Sequence, residues 1–115
     1  MQRRYRLSRS QDFDAVYRKG RSTSTRYLVL YWFPRDEDAD GSRLGLAVPK
    51  NTGSAVNRNR IKRRLRELWS ARLDAVPEGC DYVLVVRPGL IEAAEAQGSA
   101  WLGERVEEVL QEAAA

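Results

Sequence analysis

The part of the sequence best suited to chemistry is a run of basic side chains in the middle of the chain. Between positions 58 and 66 only Ile61 and Leu65 are apolar; the others are Arg58, Asn59, Arg60, Lys62, Arg63, Arg64 and Arg66. Several of these cations are four residues apart, so on a helix like charges would face each other and lower its stability. A phosphate-bearing partner would remove this repulsion, and the N–H groups at a helix N-terminus also attract phosphate. The run therefore favours a nucleic-acid interface over a merely solvated helix face.

Aromatic side chains beside basic stretches form a second candidate set. Phe13 and Tyr17 are four residues apart on a predicted helix, and Tyr31 lies on a predicted strand. Core packing is a sufficient explanation for any one of them. Their interleaving with Arg and Lys also fits a groove on which unstacked bases lie, as in proteins that bind single-stranded nucleic acid.

Several classes of enzyme are excluded by what the sequence lacks. It contains no histidine, which removes His-based proton relays, Ser-His and Cys-His nucleophiles and His-ligated metals. The lone Cys80 can form neither a disulfide within the chain nor a zinc site. No phosphate-loop, dinucleotide-binding or nucleophile-elbow pattern is present. Residues 36–41 resemble the start of a calcium-binding loop, but its twelfth position is Ala47, so a solvated turn is favoured.

Charge is distributed unevenly along the chain. The net charge is +4, and 17 of the 20 cations are arginine, which favours bidentate binding of phosphate and stacking on bases. Residues 1–26 carry a net +6 and residues 43–72 a net +8, whereas residues 35–40 carry −3 and residues 73–115 carry −7. A concentrated basic face on a small domain is typical of proteins that bind polyanions.

Six elements are predicted to position these residues. Ser10 predicts the N-cap of a helix over 11–19, and Gly20 its end. Residues 26–33 predict a strand that pairs antiparallel, as a long hairpin, with a second strand over 43–49. The apolar run at 81–88 predicts a strand buried on both faces near the sheet centre. Helices are predicted over 54–73 and 100–113.

Length and composition bound the architecture. With 115 residues, of which 43% are hydrophobic, the sequence predicts one domain over 1–115 with a single modest core. No apolar run is long enough to span a membrane, and no apolar stretch follows the charges at the N-terminus. We therefore expect a reduced, cytoplasmic protein.

The order and spacing of several motifs closely resemble the protein subunit of bacterial ribonuclease P. The segment RNRIKRRLRE, preceded by GSAV and by the strand RLGLAVPK, carries most of the resemblance. An LVLY strand and a DYVLVVRP strand follow the family's order, so the resemblance covers about residues 3 to 110. The N-terminal motif is matched by Arg4, Arg6, Leu7, Ser10, Asp12, Phe13, Val16, Tyr17 and Gly20.

The resemblance implies both a fold and a function. The fold is an α/β (α+β) two-layer sandwich: a mixed sheet of about four strands, with helices packed on it and an unusual left-handed βαβ crossover through the arginine-rich helix. The function is endonucleolytic removal of the 5′ leader from precursor tRNA, with catalysis by an RNA subunit that binds Mg²⁺ and with the protein as a non-catalytic cofactor. The implied partners are the catalytic RNA and precursor tRNA, with no membrane and no protein partner.

The resemblance also implies roles for individual residues, none of them catalytic or metal-binding. Contacts with the catalytic RNA are implied for Arg58, Asn59, Arg60 and Arg63. A cleft for the single-stranded leader is implied for Phe13, Tyr17, Tyr31, Lys62, Arg66 and Lys50. The sequence departs from the frequent family pattern at Asn51, where many relatives have lysine, and at Arg64, where an apolar residue is frequent.

Helical geometry is consistent with two separate RNA contacts on the basic helix. At 100° per residue, Lys62 and Arg66 lie at about 100° and 140° from Ile61 around the helix axis. Arg63 and Arg60 lie at about 200° and 260°. One helix could therefore contact two RNAs.

Three alternatives remain open at this point. A ribosomal or general RNA-binding protein would share the basic helix but would show no preference for leader-bearing tRNA. A protein-only nuclease would use Asp12 and Asp14 as metal ligands, although both acids fit the first turn of a helix and point to different faces. A membrane-surface protein is the least favoured, because the narrow apolar stripe of the basic helix is needed for the core.

Overall fold

The structure, a computed structural model, describes residues 6–35, 41–72, 76–77 and 79–114. The acidic segment 36–40 lies outside the described residues. The described residues form four helices and four strands, with a short 3-10 turn at Lys50–Thr52. In chain order the elements are α1 (Ser10–Lys19), β1 (Arg21–Ser24), β2 (Leu28–Pro34), β3 (Arg43–Ala47), α2 (Ala55–Ser70), β4 (Cys80–Val86), α3 (Leu90–Gln97) and α4 (Ser99–Ala114).

The strands form one mixed sheet in the order β1-β2-β4-β3. β2 pairs antiparallel with β1 and with β4, whereas β3 pairs parallel with β4. Leu84 lies opposite Leu30 on one side and opposite Leu46 on the other. The mixed four-stranded sheet is therefore confirmed, as is the central position of the strand at 81–88. Helix α2 makes the βαβ connection from β3 to β4, and its left-handedness stays a prediction.

The predicted hairpin between the second and third strands is wrong. β2 and β3 do not pair, because β4 lies between them. Val83 and Leu84 of β4 are fully buried, so this strand needs cover on both faces and neighbours on both edges. Placing it at the centre satisfies both needs and leaves β3 as an edge strand.

Alternate residues of the central strands face two different clusters. On one face Leu30 and Leu84 join the main core, which α2, α3 and α4 cover. On the other face Val83 packs with Val16 of α1 and with Leu7. The main core is thus the predicted layer of helices on a sheet, and α1 adds a partial layer on the opposite face.

Two glycines let α1 approach the sheet closely. A Cβ at Gly20 would collide with the carbonyl oxygens of Val16 and Trp32, so the end of α1 can lie directly against β2. A Cβ at Gly45 would collide with the ring of Phe13. The helix itself begins at Ser10, with Arg9 at the N-cap position and no side-chain cap, so the predicted cap is one residue too late.

Two elements were not predicted from the sequence. β1 is a four-residue edge strand of Arg, Ser and Thr, whose burial pattern carries no apolar alternation. α3 is an eight-residue helix that buries Leu90, Ile91 and Ala94. Within the described ranges no helix is long and apolar enough to cross a membrane.

Candidate nucleic-acid interface

Helix α2 is oriented by one apolar stripe. Ser54 at its N-cap accepts a hydrogen bond from the Asn57 N–H at 3.2 Å, which starts the helix directly after the 3-10 turn. Ile61, Leu65 and Trp69 are buried in the main core. Because these side chains fix the rotation of the helix, its polar residues are turned outward in a defined order.

An open groove of about 600 Å³ runs along the outer side of α2. Four of its lining side chains are cations and one is an acid, so its charge is strongly positive. The lining residues are Arg6, Asn59, Lys62, Arg63, Arg66 and Glu67. The structure thus brings Lys62 and Arg66 together with Asn59 and Arg63, two residues that the resemblance assigns to a different RNA.

The pKa of the Arg66 guanidinium reflects this crowding. Burial is the larger cause and the nearby charge of Arg6 the smaller one; both lower the pKa of Arg66 below its usual value. The group remains charged at neutral pH, since the guanidinium of arginine keeps its proton in proteins. A bound anion would relieve the repulsion between the two guanidinium groups.

The remaining cations of α2 lie elsewhere on the helix. Arg60 and Arg64 line a small depression together with Glu95 of α3. The Arg64 Nη2 also donates to the Ser99 Oγ at 3.0 Å. Arg58 is half-buried, and its Nε donates to the Gly53 carbonyl at 3.1 Å, so part of this side chain stabilises the turn before α2.

The three predicted aromatic residues form one cluster on the face of the sheet that α1 covers. The ring centroids of Phe13 and Tyr17 are 6.4 Å apart, and Tyr17 meets Tyr31 edge-to-face at 4.9 Å. Tyr17 is 40% exposed, so its ring is available to a ligand. Burial raises the pKa of the Tyr17 phenol, with smaller contributions from Tyr31 and from Asp14. The phenol is therefore neutral at ordinary pH and does not repel phosphate.

An apolar floor extends from this cluster across the sheet. Val29 pairs with Val85, and Val85 pairs with Ala47, in a row next to that of Tyr31. All three side chains are only half-buried. Lys50, which follows β3, is exposed. No described ring contact, hydrogen bond or ion pair joins this surface to Lys62 or Arg66, so the predicted leader residues do not form one contacting cluster.

A group of charged residues that sequence reasoning missed lies beneath α1. Asp81 is 4% exposed; its two oxygens accept hydrogen bonds from the Arg43 Nε at 2.8 Å and from Nη2 at 2.6 Å. The Arg35 Nε lies 3.2 Å from the same carboxylate. The bond to Asp81 is the main cause that raises the pKa of Arg43. The only sequence feature that pointed to this group was Asp81 itself, an acid at the start of an apolar strand.

This group bears directly on the nuclease alternative. Asp12 lies 3.8 Å from a guanidinium nitrogen of Arg43, whereas Asp14 lines a shallow depression beside Arg18 and Lys19. Cations beside both carboxylates oppose the binding of a metal ion there. Among the described residues no three acidic, Cys or His side chains form a group that could bind a metal. The described residues therefore offer no donor set that fits Mg²⁺.

Comparisons with known proteins agree on one family. The Ribonuclease P family profile matches residues 1–113. The ribonuclease P protein component of Acidothermus cellulolyticus is 45% identical over 94 residues, which cover 82% of this chain and 78% of that protein. The solved ribonuclease P protein of Thermotoga maritima superposes with a TM-score of 0.83 at 30% identity, covering 93% of this chain and 96% of the other. That of Staphylococcus aureus gives 0.80 at 31%, with 95% and 94% covered.

Proposed function

This chain belongs to the ribonuclease P protein family, and on that premise we propose that it assists a catalytic RNA in removing the 5′ leader from precursor tRNA. The observation that carries the proposal is the presence of two RNA-suited surfaces on one small domain. One is the groove on α2, with four cations and one acid. The other is the aromatic cluster of Phe13, Tyr17 and Tyr31.

The proposed mechanism uses binding and positioning alone. Arginines of α2 such as Arg60, which lies outside the groove, neutralise phosphates of the catalytic RNA. Lys62 and Arg66 of the groove bind phosphates of the leader, and the aromatic cluster stacks on its unpaired bases. Together these contacts place the scissile bond at the catalytic RNA. That RNA, in the cytoplasm, supplies the Mg²⁺ sites, which is consistent with the lack of a fitting donor set among the described residues of the protein. No side chain of the protein breaks the bond.

Activity measurements on the separate and combined components test this proposal. We expect cleavage of a 5′-extended precursor tRNA at low Mg²⁺ to rise only when the protein and the catalytic RNA are both present. Cleavage by the protein alone would contradict the cofactor role. If the protein leaves the activity of the RNA unchanged, a general RNA-binding protein becomes the better description.

Single substitutions on α2 separate the two proposed RNA contacts. We expect Arg60→Ala to weaken assembly with the catalytic RNA by about tenfold, because one charge-assisted contact to phosphate is lost. Lys62→Ala is expected to leave assembly nearly unchanged and to lower the affinity for precursor tRNA relative to mature tRNA. Each lost phosphate contact should also reduce the salt dependence of log K by about 0.7 to 0.9.

The matched control for charge is Arg105→Ala. Arg105 lies on α4 near Glu104 and Glu108, away from both proposed surfaces, and its removal changes the net charge by the same amount. Filter-binding titrations of the RNA subunit, precursor tRNA and mature tRNA give the three affinities. Equal losses of both functions in the Arg60 and Lys62 variants would contradict the two-contact arrangement.

A further inference from the structure

The N-terminal segment supplies a cation to the groove on α2. The backbone of Arg6 forms an isolated parallel bridge with Leu44 of the edge strand β3. The Leu7 N–H donates to the Leu44 carbonyl at 2.9 Å, and the Leu7 side chain is buried. The sheet therefore fixes the position of Arg6, although its side chain is exposed.

The side chains of Arg6 and Leu7 contact different RNA-suited surfaces, the groove on α2 and the core beneath the aromatic cluster. Leu7 belongs to the small core beneath α1, against which Phe13 and Tyr31 pack. Arg6 lines the groove with Lys62 and Arg66. The segment thus contributes one residue to the small core that supports the aromatic cluster and the next one to the basic groove.

The charges around the groove are unbalanced. Arg6, Lys62, Arg63 and Arg66 face a single acid, Glu67. Among the described residues none of these four cations forms an ion pair, whereas Arg43, Arg72 and Arg105 each do. Repulsion from Arg6 also contributes to the lowered pKa of Arg66. A phosphate between the two walls would attract both guanidinium groups and remove the repulsion.

The size of the groove suits a short stretch of single strand. A volume of about 600 Å³ is that of an ordinary small-molecule site, enough for a short stretch of unpaired backbone. Proteins that bind single strands combine such a positive groove with aromatic platforms, and here the platform packs against the core that contains Leu7, the neighbour of Arg6.

We infer that Arg6 forms the second wall of a phosphate-binding groove, and that the leader backbone passes between Arg6 and Arg66 on its way from the aromatic cluster to α2. This inference rests on the proposed function and adds to it a positioning residue that joins the two halves of the leader site. Arg6 would thereby determine how far along the leader the protein makes contact.

The test is Arg6→Gln in the holoenzyme assembled with the catalytic RNA. Three ligands are compared: precursor tRNA with a long leader, precursor tRNA with a leader too short to reach the groove, and mature tRNA. We expect the affinity for the long-leader substrate to fall by about threefold to tenfold and its salt slope by about 0.7. The affinities for the other two ligands and for the catalytic RNA should not change.

The matched control is Arg9→Gln, which removes an exposed cation of the same segment that does not line the groove. If Arg6→Gln behaves like this control, or weakens all three ligands equally, the inference is overturned. Weaker assembly with the catalytic RNA would also overturn it, since the groove would then face that RNA. A double substitution with Arg66→Gln should cost less than the sum of the single losses, because both side chains would bind one phosphate.

Failure of the proposed function and failure of the role of Arg6 give different results. If the unsubstituted holoenzyme does not prefer leader-bearing tRNA over mature tRNA, the proposed function is wrong and the inference falls with it. If that preference is present and Arg6→Gln leaves it intact, only the role of Arg6 is wrong. Urea unfolding of the Arg6 variant confirms that the fold is unchanged.

Discussion

Replacing Tyr17 with alanine is expected to weaken binding of leader-bearing precursor tRNA by about 5- to 150-fold. One stacking platform for an unpaired base is lost, and such a contact contributes about 1 to 3 kcal/mol. Tyr17 is the best residue of the cluster for this test because it is 40% exposed, whereas Phe13 and Tyr31 pack against the small core. The effect on stability should therefore be small.

The conservative variant Tyr17→Phe separates stacking from other roles. It keeps the ring and its edge-to-face contact with Tyr31, so it should retain most of the affinity if stacking is the interaction. Affinities are measured with the holoenzyme, and mature tRNA provides the reference ligand. Equal losses for precursor and mature tRNA, or a loss in Tyr17→Phe as large as in Tyr17→Ala, would contradict stacking on the leader.

The sequence was informative wherever a local pattern determined the structure. The apolar stripe of Ile61, Leu65, Leu68 and Trp69 predicted which side of α2 is buried, with Leu68 only partly covered. The continuous apolar run at 81–88 predicted a central strand. Phe13 and Tyr17 were predicted to share a helix face, and they lie in one cluster. Each of these inferences depends only on residues close together in the chain.

The errors arose where structure depends on long-range pairing. The order of residues alone favours a hairpin between neighbouring strands, and only the insertion of β4 between β2 and β3 excludes it. The edge strand β1 is polar and short, so its pairing with β2, and not its own pattern, makes it a strand. Local periodicity carries no information about either feature.

In the candidate site, too, features local to one helix were predicted and contacts between segments were not. Angles around α2 placed Lys62 and Arg66 side by side, as they lie in the groove, but they set Arg63 apart although it lines the same groove. They also could not show that Arg6 completes it. Nor could they show that Arg58 contacts the Gly53 carbonyl. Both facts depend on how a neighbouring segment lies against the helix, which the sequence of the helix does not encode.

The arginines of this chain fall into two groups that the sequence does not distinguish. Arg43 is engaged with the buried Asp81, and Arg72 is engaged with Glu107. The cations of the groove on α2 have no such acidic partner among the described residues. Their charge is therefore left for a ligand, which explains how a chain with a net charge of only +4 can present a strongly positive surface.

Removing the carboxylate of Asp81 is expected to cause the largest loss of stability. Asp81→Ala leaves Arg43 beneath α1 without its bidentate partner, and breaking a buried ion pair costs about 3 to 5 kcal/mol. The Arg43 side chain is 27% exposed and can regain part of its hydration, so we expect the free energy of unfolding to fall by about 3 kcal/mol. Urea unfolding followed by circular dichroism measures the free energy of unfolding.

Glu107→Ala is the matched control, because Glu107 also pairs with an arginine but is 53% exposed. A surface pair of this kind contributes about 0 to 1 kcal/mol, so the two variants should differ by at least about 2 kcal/mol. If they lose the same free energy, the Asp81 pair does not stabilise the fold. Arg43 also lies beside Asp12 of α1. The Asp81 variant should therefore also weaken the packing of α1 on the sheet and lower the affinity for the leader. Glu107→Ala should leave that affinity unchanged.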